Sequence, residues 1–148
     1  VYGRLVWTNR ELDVAALLVP KISFRTPMRW VPYEDIPEVG GELAYSGYPS
    51  SHSLLSFRGR IAGYESHHSR KVIIMHTHGW FGCSGSVIYD LEGRVVGVLW
   101  GIDVGNVKRR IQVIDNILWV TPSSSIDIMK IVEGICAPGM ARPQSCDK

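Results

Sequence analysis

A chain of 148 residues is long enough for a domain with a hydrophobic core, and 45% hydrophobic with 20% charged residues excludes disorder and coiled coil. No apolar stretch approaches the roughly 18 to 20 residues that span a bilayer, and the N-terminus has no signal-peptide pattern, which predicts a soluble protein without a membrane partner. The net charge of +2 is scattered except at Lys108, Arg109 and Arg110, so no nucleic-acid partner is expected.

Short β-rich runs separated by Gly, Pro and Ser predict a mostly β chain. Turn residues such as Gly40-Gly41 and the Asp90–Gly93 hairpin separate these runs, a pattern typical of a sandwich or barrel. In chain order the predicted strands are Arg4–Thr8, Val14–Val19, Glu42–Tyr48, Leu54–Tyr64, Lys71–His76, Ser86–Tyr89, Val95–Trp100 and Ile117–Val120.

Two segments depart from this pattern. Prolines at 20, 27, 32 and 37 predict a linker over residues 21–37. Near the end, the serines at 123–125 offer an N-cap, and a single helix is predicted because one helical face is apolar. The residues of that face are Ile128, Ile131, Val132 and Ile135, and the residues from 136 onwards predict an irregular tail.

The three cysteines, Cys83, Cys136 and Cys146, are too few for a disulfide framework. A bridge between Cys136 and Cys146 is one alternative, and it leaves Cys83 free. No Cys/His set has zinc spacing, so neither a metal nor a cofactor is predicted. Sparse cysteines leave the cellular compartment open.

The strongest chemical signal is Gly82-Cys83-Ser84-Gly85-Ser86. Small residues around Ser84 allow a tight turn that exposes a hydroxyl and directs amide N–H groups outward, as an acyl-transfer nucleophile needs. The natural oxyanion donors are the amides of Gly82 and Ser84. The alternative is a tight loop without chemistry. The α/β-hydrolase elbow is excluded because a hairpin, and no helix, follows the motif.

The sequence around this motif resembles chymotrypsin-like (trypsin-fold) serine proteases. From Ser86 to Gly101, an apolar strand, a D-x-x-G turn and a Val-Val-Gly-Val strand ending in Trp100-Gly101 are similar to that family's pattern. Asp13 with the apolar run after it resembles the segment of the triad aspartate. Three further stretches match, at residues 39–49, 58–63 and 121–124, so the resemblance covers about residues 4 to 135.

The resemblance implies an all-β fold consisting of the last strands of a first barrel (1–20), a linker (21–37), a second antiparallel barrel with a C-terminal helix (38–135) and a tail (136–148). It implies a serine endopeptidase with Ser84 as nucleophile and Asp13 as triad acid. It also implies substrate binding by Leu99, Trp100 and Gly101. His78, six positions before Ser84, would lie at the floor of the primary specificity pocket and favour an acidic or amide side chain; a solvated loop histidine is the alternative.

The triad histidine should precede Asp13, yet residues 1 to 12 contain none. We therefore expect the base outside this chain, on an N-terminal segment or partner chain that completes the first barrel; Val1 as first residue indicates a processed or partial chain. The other interpretation is a non-catalytic homologue that binds peptides or proteins. Cys83 is disfavoured as nucleophile because Gly82 and Gly85 match the family only with Ser84 in that role. All histidines fall between Asp13 and Ser84, at positions 52, 67, 68, 76 and 78.

Overall fold

The computed structural model describes residues 2–32, 35, 37–107, 110–137 and 146. Two of the basic cluster, Lys108 and Arg109, and most of the predicted tail therefore lie outside the described residues. The chain forms two compact units: a barrel unit, Pro27–Ser125, and a hairpin-helix unit made of the residues up to Thr26 and those from Ile126 onwards. None of the described helices has the length and apolar character that crossing a bilayer requires.

The barrel unit is a closed antiparallel barrel of six strands in the order β3-β4-β5-β8-β7-β6. Together with the C-terminal helix, this confirms the predicted all-β fold class. The described strands and helix, in chain order, are β1 (Arg4–Asn9), β2 (Val14–Leu18), β3 (Glu42–Gly47), β4 (Leu55–His67), β5 (Arg70–His76), β6 (Val87–Asp90), β7 (Val95–Val107), β8 (Arg110–Pro122) and α1 (Ile128–Ile135).

Side chains that point inward from all six strands form the barrel core. Burying each large aliphatic side chain contributes about 1.5–3 kcal/mol to folding, and the core is contiguous because closure leaves no open edge between first and last strand. Its fully buried members include Leu43, Tyr45, Ile61, Ile73, Met75, Ile88, Val96, Leu99, Leu118 and Val120.

β7 and β8 are much longer than the sequence predicts. Their ladder continues past Gly101↔Trp119 to Asp103↔Ile114 and Val107↔Arg110, with register shifts at two points. The prediction that β7 ends at Trp100 is wrong. The sequence pattern stops there because Gly101, Asp103 and Gly105 have low β-propensity. Antiparallel pairing with β8 outweighs that local preference.

The hairpin-helix unit consists of β1 and β2, paired antiparallel, and α1. Asn9 Oδ1 fixes the hairpin turn by accepting from the amides of Glu11 (2.9 Å) and Leu12 (3.1 Å). α1 lies against β1 so closely that a side chain at Gly134 would overlap the Val6 carbonyl.

The start and end of α1 are held by two local features. The predicted N-cap among the serines at 123–125 is wrong: those residues form a 3₁₀ turn, and Asp127 caps the helix by accepting from the Lys130 amide at 3.1 Å. After the helix, a disulfide joins Cys136 to Cys146 and leaves Cys83 free and buried.

The β6–β7 turn depends on Asp90. Its Oδ1 accepts from the amides of Glu92 (3.0 Å) and Arg94 (2.8 Å), and its Oδ2 accepts from Arg94 Nε at 2.7 Å. Burial acts to raise the pKa of Asp90, but these hydrogen bonds and the Arg94 charge outweigh it and hold the pKa below its usual value.

We predict that Asp90→Asn lowers the free energy of unfolding at pH 7 by about 1–3 kcal/mol, because partly buried donors lose a charged acceptor. A carboxylate with a lowered pKa stabilises the fold above its unfolded pKa and loses that effect as pH falls through the folded pKa. The difference in free energy of unfolding between wild type and variant should therefore become smaller below about pH 4. Urea unfolding at pH 7 and pH 3 measures this, with the exposed Glu92→Gln as control; a gap that stays constant contradicts the prediction.

Candidate active site

Ser84 lies in a tight turn between β5 and β6. Gly82 (φ +98°) and Gly85 (φ +85°), two and one residues from it, both adopt the left-handed region that favours glycine. A Cβ at Gly82 would overlap the Tyr48 carbonyl oxygen, whereas one at Gly85 would meet open space. The turn exposes the Ser84 side chain and buries its neighbour Cys83.

Most amides of this turn are already engaged. Cys83 N donates to Trp80 O (3.1 Å), Gly85 N to Leu99 O (2.7 Å) and Ser86 N to Cys83 O (3.1 Å). Among the described residues, the amides of Gly82 and Ser84 find no acceptor. These are the two amides that the sequence predicts as oxyanion donors, and that role stays a prediction.

Ser84 faces the edge of β7. β6 pairs with β7 only as far as Val87↔Val98, so beyond that point β7 is paired on one side, by β8. Ser84 Oγ lies 3.5 Å from the Trp100 carbonyl oxygen. The serine hydroxyl and the unpaired strand edge at Trp100 and Gly101 are therefore adjacent.

Leu99 differs from Trp100 and Gly101 because its backbone groups are hydrogen-bonded to the Ser84 turn. Its side chain is in the barrel core, its amide donates to Ser86 O at 2.9 Å, and its carbonyl accepts from Gly85 N. Leu99 thus holds the Ser84 turn against β7, and its carbonyl oxygen keeps a second lone pair. The substrate-binding role of Leu99 stays a prediction.

A cavity of about 510 Å³ opens beside Ser84. Sequence reasoning missed it: Met28 lies in the predicted linker, and the aromatic residues lie at strand ends that carry no chemical signal. Its lining combines apolar side chains with hydroxyl groups and comprises Met28, Ser46, Gly47, Tyr48, Gly82, Ser84, Gly85, Ser86, Val87 and Tyr89.

His78 is half-exposed and does not line that cavity. Its Nδ1 lies 3.5 Å from Asp115 Oδ2 on β8, and its ring lies 5.8 Å from that of Phe57. The pocket-floor role of His78 stays a prediction. A carboxylate beside His78 would repel an acidic substrate side chain, and the predicted preference for an acidic or amide side chain stays a prediction. Sequence reasoning missed Asp115 because the chain pairing that brings it to His78 is long-range.

Tyr45 connects the start of the loop that carries Ser84 to the residue just before Ser84. Its buried hydroxyl donates to His78 O at 2.6 Å and lies 3.7 Å from Cys83 Sγ. Burial, and then the contact with Cys83, raises the pKa of Tyr45 far above its usual value, so the phenol stays neutral and remains a donor.

We predict that Tyr45→Phe lowers the free energy of unfolding by about 1–2 kcal/mol, because the His78 carbonyl loses its donor. Amide exchange should accelerate at residues 77–84 more than in β3 and β4. Hydrogen exchange with mass spectrometry measures this. Uniform acceleration over the whole barrel would show that Tyr45 has no specific role in the loop.

No histidine hydrogen-bonds to Ser84 Oγ within the described residues of the barrel unit, where all five histidines lie. Asp13 belongs to the hairpin-helix unit, where it is exposed in the β1–β2 turn with φ +53°. A short polar side chain tolerates this backbone conformation. The triad role of Asp13 stays a prediction. The described residues also contain no group of three or more His, Cys, Asp or Glu that could hold a metal ion.

Comparison with solved structures identifies the architecture. The active form of the Rv3671c protease from M. tuberculosis superposes with a TM-score of 0.67 at 19% identity, covering 97% of this chain. Its inactive form gives 0.66 at 19% identity over 93% of this chain. The HtrA-type protease AlgW with decapeptide gives 0.71 at 18% identity over 90%.

The chain has the trypsin-like serine protease fold. No protein-family model and no curated protein matches its sequence. The chain spans 61% of the active Rv3671c protease and 40% of AlgW. The trypsin-like fold thus accounts for the closed antiparallel barrel and the C-terminal helix.

Proposed function

We propose that this chain is the serine-bearing part of a serine endopeptidase. The observation that carries the proposal is Ser84, exposed in a turn that requires glycine at position 82 and lying 3.5 Å from the unpaired edge of β7. A nucleophile needs this exposure together with donors for the developing oxyanion. The unengaged amides of Gly82 and Ser84 would supply those donors.

The reaction proceeds in two steps. Ser84 Oγ attacks the peptide carbonyl while its proton passes to a histidine, which then protonates the leaving amine as the C–N bond breaks. Water hydrolyses the resulting ester and regenerates the serine. Because no residue from 1 to 12 is a histidine, the base comes from a segment outside these 148 residues, and Asp13 fixes its tautomer.

The substrate would bind as an extended strand antiparallel to β7. Main-chain groups at Trp100 and Gly101 would pair with it by β-augmentation. A Cβ at Gly101 would meet nothing within 4 Å, so a peptide backbone can approach closely there. The cavity beside Ser84 would then hold a neighbouring substrate side chain.

The hairpin-helix unit would bind the segment that carries the base. A two-stranded sheet is marginal by itself, and unpaired edges attract further strands. Leu5 and Leu17, which face each other in the hairpin register, are 55% and 60% exposed. Additional strands of a first barrel would cover this apolar face.

Fluorophosphonate labelling tests the proposal, because the reagent reacts with activated serine hydroxyls. The polypeptide that includes the base-bearing segment should be labelled at Ser84, and Ser84→Ala should abolish labelling. Ser86→Ala is the matched control, since Ser86 lies in the same turn. Labelling that persists in Ser84→Ala contradicts the proposal.

A non-catalytic peptide-binding module is the second candidate. It is favoured by one observation: within the described barrel residues, no histidine forms a hydrogen bond with Ser84 Oγ. Peptide binding without any labelling of the longer polypeptide would support this candidate.

A further inference from the structure

Four side chains form a cation–aromatic cluster on the barrel unit: His67, Arg70, Trp100 and Trp119. The Arg70 guanidinium carbon lies 4.1 Å from the centroid of the Trp100 ring. The two tryptophan rings are 5.7 Å apart, and His67 lies 4.8 Å from Trp119 and 5.9 Å from Trp100. A guanidinium stacked on an indole is a favourable arrangement, worth more where water is partly excluded.

The cluster is held by the barrel itself. Its members come from β4, β5, β7 and β8, and Trp119 pairs with Gly101 in the β7–β8 ladder. His67 pairs with Arg70 across a tight turn in which His68 (φ +49°) and Ser69 (φ +66°) are both left-handed. A site fixed by four strands loses little side-chain entropy when it binds a ligand.

Trp100 links the cluster to the Ser84 turn. Its carbonyl oxygen lies 3.5 Å from Ser84 Oγ, while its ring carries Arg70. A peptide antiparallel to β7, with its scissile bond at Ser84, has its N-terminal residues alongside β7 beyond Trp100. Because alternate side chains of a strand share one face, a residue on that N-terminal side would reach the cluster.

The chemistry of the cluster suits a carboxylate. Arg70 is permanently charged, and stacking uses its face while its N–H donors lie along its edge. Lys71 is exposed too, but as the next residue on β5 it points to the opposite face of the strand and lies outside the cluster. The Trp100 Nε1 is buried and has no acceptor among the described residues, so the cluster has a donor that its own side chains do not satisfy.

From these observations we infer that the cation–aromatic cluster selects substrates with an acidic side chain, Asp or Glu, on the N-terminal side of the cleaved bond. The inference rests on the proposed peptide-binding edge of β7. Arg70 is the residue that determines the preference, and Trp100 orients its guanidinium.

Binding of capped decapeptides tests the inference without requiring turnover. The Ser84→Ala chain is titrated with Val/Thr peptides that carry one Glu, scanned through the positions, and with the matching Gln peptides. At one position Glu should bind about tenfold more tightly than Gln, as expected for a charge-assisted hydrogen bond. The NMR signal of the Trp100 indole N–H should shift most with that Glu peptide.

Three variants separate the effect of the charge in the cluster from the effect of a charge nearby. Arg70→Gln should bring the Glu/Gln ratio to about one, and Arg70→Lys should keep part of it; Lys71→Gln should leave it near the wild-type value. Any of three results would overturn the inference. They are equal affinities for the Glu and Gln peptides when the cluster is unsubstituted, a Glu/Gln ratio that persists in Arg70→Gln, and no peptide binding at millimolar concentration. Intact selectivity with no labelling of Ser84 would instead overturn only the proposed hydrolysis.

Discussion

Joining the base-bearing segment to this chain is expected to raise the rate of fluorophosphonate labelling at Ser84 by several orders of magnitude. A serine hydroxyl without a general base is a weak nucleophile near neutral pH, and the loss of a triad member leaves only the acceleration from oxyanion donors and binding. The 148-residue chain alone should label slowly. Time courses followed by intact-protein mass spectrometry compare the two polypeptides under identical conditions.

Asp13→Asn in the longer polypeptide is the most informative variant for that comparison. An amide holds the histidine in the wrong tautomer, so labelling should fall by about 10⁴-fold while the fold is preserved. Glu11→Gln, in the same hairpin turn, is the matched control and should have little effect. Fast labelling of the 148-residue chain alone would show that one of its own five histidines is the base.

Gly82→Ala should nearly abolish labelling in the longer polypeptide. The substitution forces a side chain into left-handed backbone (φ +98°) and against the Tyr48 carbonyl, so the turn must move. Displacing one oxyanion donor typically lowers the rate by about 10²- to 10³-fold. Backbone strain of this kind costs about 1–3 kcal/mol of stability.

Gly85→Ala separates the effect of positive φ from the effect of the clash with the Tyr48 carbonyl. Gly85 has φ +85°, but a Cβ there meets nothing within 4 Å. The Gly85→Ala variant should therefore lose stability only because of its positive φ, and its labelling rate should fall much less than that of Gly82→Ala. Urea unfolding and labelling rates measure the two effects; equal losses of labelling in both variants would contradict a specific role for the Gly82 position.

The sequence predicts the barrel well because its strands are short apolar runs bounded by strong turn residues. The Ser84 turn is equally visible, since Gly82 and Gly85 have a local backbone reason to be glycine. The outer part of the β7–β8 ladder, from Asp103↔Ile114 to Val107↔Arg110, cannot be predicted from the sequence pattern. Its strands are stabilised by pairing between residues such as Val104 and Val113, and not by local propensity.

The residues around Ser84 are harder to predict from the sequence than the turn itself, because they too are brought together by long-range pairing. The pair of His78 with Asp115 and the stacking of Arg70 on Trp100 both join residues that are distant in sequence. Nothing local marks Met28 as a cavity residue, because it lies in a proline-rich stretch without periodicity. Side-chain neighbours of this kind follow from strand order and register, which single-sequence patterns do not specify.

The most direct test of a nucleophilic Ser84 is to trap its acyl-enzyme. The polypeptide with its base-bearing segment is mixed with a slowly deacylating peptide ester, quenched in acid, digested and analysed by mass spectrometry. We predict that the acyl group is attached to Ser84 and is absent in Ser84→Ala. An acyl group on Cys83 or on any other residue, or ester hydrolysis that continues unchanged in Ser84→Ala, would contradict it.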